Sequence, residues 1–226
     1  MRKILLTSLC LTFSIFIQAQ LSQVVHEVFY TDDGTVPGYP EGYTTYRIYV
    51  EMENPTDALS AIAAYPSDGT TVANVLTLGT TTDNIWNSPG GATFGDGIIG
   101  FAIDAFGAEY IYYDSYLTIG VTRDDDPMGP GGIGYGDIGE NAEASFGNAA
   151  SSGPDMTLIE GLWFAVSGDV NAYGQGPNNR VLIAQITTDG DLEYNLNVAV
   201  LPQGVIENQT IHLGDCLAVD LVDSEG

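Results

Sequence analysis

The side chains in this chain that could do chemistry are mostly oxygen donors. Asp124, Asp125 and Asp126 stand in a row, and Asp169 and Asn171 share the stretch GDVNAYG. Calcium takes several hard oxygen ligands gathered on adaptable backbone, so these two loops are the candidate metal residues and Ca²⁺ is the candidate cofactor. GDVNAYG also opens like the loop of a helix-loop-helix calcium site. The match fails at Tyr173, in the fifth ligand position, and at Arg180, in the twelfth, where a cation cannot ligate. A competing reading is that Asp and Asn in turns bond their own backbone. It applies more strongly still to Asp32, Asp33, Asp68, Asp96 and Asp189, each beside or near a glycine.

Aromatic rings are the second chemistry on offer. Trp86 in DNIWNSPGG lies between polar residues beside a turn, where an exposed ring would stack on a sugar face; a plug closing the end of a sandwich is the alternative. Trp163 in GLWFAV has apolar neighbours and reads as core. Tyr110, Tyr112, Tyr113 and Tyr116 suit a cross-strand ladder. Catalytic signatures are sparse. With His26 and His212 as the only histidines, a histidine-rich metal site cannot be built, and neither G-x-S-x-G nor a Cys/His pair occurs. A glycosidase needs only two carboxylates, and 30 acids offer too many pairs to nominate one.

Residues 1–20 place Arg2 and Lys3 before an apolar run from Ile4 to Ile17, closing on Gln18, Ala19 and Gln20. This is the pattern of a secretory signal peptide, too short to cross a bilayer as a helix. Cys10 lies inside the run, not just after it, so it is a poor site for lipidation. The mature chain is expected outside a bacterial cell or on its outer surface. It holds Arg47, Arg123 and Arg180 as its bases, without lysine, against 30 acids. That field repels phosphate backbones and anionic lipid, which disfavours nucleic acid and membrane-surface docking. Only Cys216 survives removal of the leader, so an intrachain disulfide is excluded. The expected organisation is one β domain over residues 21–214 and an acidic tail, 215–226, that begins a linker or a truncated region.

Short β-branched and aromatic runs alternate with Gly, Pro, Asn and Asp clusters, which predicts an antiparallel β-sandwich, jelly-roll or immunoglobulin-like. In TTYRIYVEM, Thr44, Tyr46, Ile48, Val50 and Met52 share an apolar face, and Thr45, Arg47, Tyr49 and Glu51 share a wet one. VVHEVFY, ANVLTL, IIGFAI, SYLTIGV, LWFAV and NVAVL read as further strands, and residues 57–64 lean the same way. Asp189-Gly190 predicts a two-residue hairpin between VLIAQITT and DLEYNLNVAVL. Residues 123–153, rich in Gly and acids, read as a long surface loop.

The succession TTYRIYVEMENPTDALSA, TTTDNIWNSPGGA, YDSYLTIGV and GLWFAVSGDVNAYGQGPNNRVLIAQITTDGDLEYNLNVAVLPQG resembles an extracellular β domain that recurs in secreted surface proteins of marine bacteria, notably Bacteroidetes. The likeness spans about residues 44–205 and is most specific from Gly161 to Gly190. It implies a multidomain surface setting and no catalytic residues. The expected function is a binding or structural module for extracellular polysaccharide or surface-protein partners. The alternative is a secreted carbohydrate-active enzyme using an Asp/Glu pair.

Overall fold

The computed structural model describes residues 21–64, 74–124, 126, 133–147, 152–166, 168–206, 209–212 and 218–220. Residues 1–20, where the sequence predicts a signal peptide, and Asp68, Asp125 and Cys216 lie outside them. The chain opens with β1 (Leu21–Thr31), β2 (Thr44–Met52), β3 (Ala58–Ala64) and β4 (Leu76–Thr80). An excursion follows through β5 (Ile85–Trp86), helix α1 (Gly100–Phe106) and β6 (Tyr116–Leu117). Then come β7 (Ile133–Gly136), helix α2 (Gly139–Phe146), β8 (Ser152–Gly153), β9 (Met156–Leu158) and β10 (Gly161–Ala165). β11 (Arg180–Thr188), β12 (Leu192–Asn195), β13 (Val198–Leu201), β14 (Thr210–His212) and β15 (Ala218–Asp220) complete it.

Two five-stranded sheets dominate. Sheet A runs β15-β1-β2-β11-β6 and sheet B runs β14-β13-β3-β10-β7. Their pairings are antiparallel except β15 on β1, which is parallel and uses residues expected in the acidic tail. The period-two pattern explains the packing: Val24, Ile48, Val50 and Ile186 of sheet A meet Ile62, Trp163, Val198 and Val200 of sheet B in one cluster, all fully buried. Trp163 sits there as its neighbours predict, and its indole N–H donates to the Thr118 carbonyl at 3.1 Å. The fold is the expected antiparallel β-sandwich.

Several local readings differ. The wet face of β2 is polar but partly dry: Thr45 is fully buried, bonded to Tyr39 and Thr187, and Glu51 is 5% exposed, bonded to Gln23, Asn178 and Arg180. The run IIGFAI is not a strand. Asp124 Oδ1 accepts the Gly100 N–H at 2.9 Å, and Gly107 at φ 65° ends α1 in a left-handed cap, leaving Phe101 67% exposed. Of SYLTIGV only Tyr116–Leu117 pairs as strand. Tyr110, Tyr112 and Tyr113 lie in a 3₁₀ turn, Glu109–Tyr113, so no cross-strand ladder forms from them. The Asp189-Gly190 hairpin is absent as well. Both edges of β11 are taken by β2 and β6, so β12 leaves the sheet and pairs with β4. Neither Asp189 nor Gly190 has positive φ. Residues 123–153 hold β7, α2 and β8, and Ile138, Ala142 and Phe146, four apart, bury one side of α2 completely.

Candidate functional site

Part of sheet A's outer face is covered by its own chain. Gln185 organises the cover: its amide N–H groups donate to the Tyr112 carbonyl at 3.0 Å and the Asp114 carbonyl at 2.8 Å, and its oxygen accepts Arg47 Nε at 2.8 Å. Thr187 donates to the Tyr113 carbonyl and shares a hydrogen bond with Thr45 at 2.7 Å. The Arg47 guanidinium lies 3.5 Å from the Phe29 ring centroid. Within this layer Asp114 is fully buried and accepts the Ser88 N–H at 2.6 Å and the Ala92 N–H at 2.8 Å. Burial pushes its carboxyl up to about 7, against the opposing pull of those amide bonds. No feature of YYDSY marks Asp114 as different from the other acids, which is why the sequence did not reveal it.

The candidate metal residues are placed in two turns. Asp126 Oδ2 accepts the Thr122 N–H and hydroxyl, both at 2.7 Å, and the Arg123 N–H at 3.2 Å. Asp169 is 3% exposed and caps a 3₁₀ turn, accepting the Asn171 N–H at 2.9 Å and its side-chain amide at 3.2 Å. These are the backbone-directed bonds of the turn reading. Gly120, upstream of the first turn, packs on the Asn171 backbone of the second. Among the described residues, however, no group of three or more His, Cys, Asp and Glu is set to hold a metal.

Trp86 is not a sugar platform. It is 7% exposed, paired into the β5-β8 ladder, with the Tyr39 ring 5.9 Å away and its carbonyl accepting the Ser115 hydroxyl at 2.6 Å. Flanking polar residues misled because Asn87 and Ser88 are themselves buried. The buried acids act singly: Glu51 accepts Arg180 Nε at 2.7 Å and Gln23 Nε2 at 2.6 Å, and Asp57 accepts the Gln203 N–H at 3.0 Å.

Open concave surfaces occur elsewhere among the described residues. A polar pocket of about 360 Å³ is lined by His26, Tyr46, Asp191 and Leu192. His26 Nδ1 meets the Tyr194 hydroxyl at 3.1 Å, and its ring makes edge-on contacts with Tyr46 and Tyr194 at 5.9 and 5.8 Å. Another is a groove of about 500 Å³ across the outer face of sheet B. Ala61 and Ala63 of β3 form its floor, Leu162 and Phe164 of β10 one wall, and Ile211 of β14 the other. Phe164 is held low because its ring lies against Gly134, where a Cβ would collide with it. Two-residue alternation of Ala in β3 and of larger residues in β10 was the available signal for this surface. No family model, curated protein or solved structure matches the chain.

Proposed function

We propose that the chain is a binding or structural module of a bacterial cell exterior, exported by residues 1–20, with surface proteins or extracellular polysaccharide as its partners. One observation carries the reading: residues 112–114 fold over part of sheet A's outer face, while among the described residues sheet B's outer face presents an open, mostly apolar groove. A sandwich needs one buried face per sheet, and an uncovered second apolar face is what partner contact uses. Polysaccharide has a second place of entry, the His26 pocket, where Tyr46 supplies apolar ring surface and Asp191 an acceptor.

Retention tests this. Leaderless protein is passed over immobilised outer-surface protein extract and over marine polysaccharides, alongside Ala63→Leu, which fills the groove, and Tyr46→Ala, which opens the pocket. Loss of retention with Ala63→Leu supports the groove, and loss with Tyr46→Ala supports the pocket. Release of reducing sugar at enzyme-like rates, abolished by replacing one Asp or Glu, would overturn the module reading in favour of the carboxylate-pair enzyme.

A further inference from the structure

We infer that the groove on sheet B takes a short extended polypeptide that pairs apolar side chains with a terminal Lys or Arg; this rests on the binding-module reading above. The floor fixes the shape of the occupant. Ala61 and Ala63 are two residues apart on β3, with Leu162 and Phe164 on the adjacent β10 as one wall and Ile211 of β14, beyond Ala199 of β13, as the other. At ~3.3 Å per residue the floor from Ser60 to Ala64 is about 13 Å long, room for four extended residues whose alternate side chains point down. Gly134 keeps the Phe164 ring flat against the neighbouring strand, so the wall is apolar along its length.

The ends of the groove differ, and this sets the charge of the occupant. Asp137 and Glu160 stand together at the end where β7 leaves the sheet and β10 enters it, both exposed. At the other end Gln209 donates to the Ser60 hydroxyl at 3.2 Å, a neutral polar stop. The bases of the described residues are all elsewhere: Arg47 and Arg180 lie on sheet A, and Arg123 pairs with Asp104 at 2.6 Å beside α1. An acidic rim without a neighbouring base, on a chain of net charge −25, is complementary to a cation and repels a second copy of itself. Apolar side chains in the trough and a guanidinium or ammonium between Asp137 and Glu160 satisfy both features.

Fluorescence polarisation with labelled six-residue probes tests the inference on the leaderless chain. The probes are acetyl-SLSVRR-amide, acetyl-SLSVEE-amide and acetyl-SSSSRR-amide. The first should bind at least tenfold tighter than the other two at physiological salt. Ala63→Leu should weaken it about tenfold, and the double change Asp137→Asn with Glu160→Gln should do so at low salt but less in 0.5 M NaCl. If Ala63→Leu fails to melt cooperatively, Ile211→Ser on the exposed edge strand replaces it. Equal binding of SSSSRR would reduce the effect to bulk charge and overturn the inference. Self-association by sedimentation, lost in Ala63→Leu, would make a second copy the occupant and overturn it too. Polysaccharide retention that depends on Ala63 without SLSVRR binding would keep the module and sink the peptide. Indifference of both assays to Ala63 would sink the groove altogether.

Discussion

Asp114→Asn should flatten the pH dependence of stability between pH 4 and pH 8. The carboxyl is fully buried and titrates near 7 when folded, against 3.8 for an ordinary aspartate. Between those values the folded chain holds a proton that the unfolded chain has released. Its contribution to stability is therefore complete below pH 3.8 and is lost as pH rises through 7. At 1.36 kcal/mol per pH unit the loss amounts to roughly 4 kcal/mol, a large share of the ~5–15 kcal/mol that holds a domain folded. Asparagine keeps the shape and one acceptor for the Ser88 or Ala92 N–H, but sets its own NH₂ against the other. That mismatch costs ~1–3 kcal/mol at every pH, and so shifts the variant's curve without tilting it. Urea unfolding at pH 4, 5, 6, 7 and 8 in 0.5 M NaCl measures both chains, the salt suppressing general acid repulsion. The gap between them should close or invert by roughly 4 kcal/mol from pH 4 to pH 8. Parallel curves over that range would refute the assignment of a buried proton to Asp114.

Trp163→Phe should cost about 1–3 kcal/mol, from lost volume and from orphaning the Thr118 carbonyl, read as a lower urea midpoint at unchanged m-value. Gly91→Ala should destabilise by a similar ~1–3 kcal/mol, since the new Cβ falls on the Asp114 carboxylate, and in an Asp114→Ala background the penalty should shrink. Melting temperature should rise with NaCl as the −25 charge is screened; CaCl₂ at matched ionic strength adds to it only if Asp124 or Asp126 ligates. Trp86→Ala should lower the melting temperature by several degrees and leave polysaccharide retention of the folded fraction unchanged, because the ring is packed under Tyr39.

The strands were legible where apolar alternation and length agreed, as in β2, β10 and β11, because burial between two sheets imposes the period. Sequence reasoning failed where an element's neighbour decided its fate. Asp-Gly turn chemistry could not show that β6 already occupies the edge of β11 that a hairpin needs. The face of Thr45, Arg47, Tyr49 and Glu51 reads as solvated from its polarity, yet Gln185 and the carbonyls of residues 112–114 give it partners under a cover. Ile138, Ala142 and Phe146 did carry a helical spacing, masked by the Gly-rich text around them. Trp86 and Asp114 owe their settings to the same excursion over sheet A, which has no local signature at all.

The central ladder of sheet A joins Thr44–Met52 to Arg180–Thr188, and the Thr45–Thr187 hydrogen bond closes 142 residues of chain. Closing so long a loop comes before its contacts reward it, which predicts slow folding limited by the arrival of β11. A ribosome would release β1 and β2, which pair with each other, long before β11 exists to take the other edge of β2. For that interval the open edge of β2 is expected to be kept from other chains by like charge, an action of the acid surplus on the nascent chain before the finished surface exists.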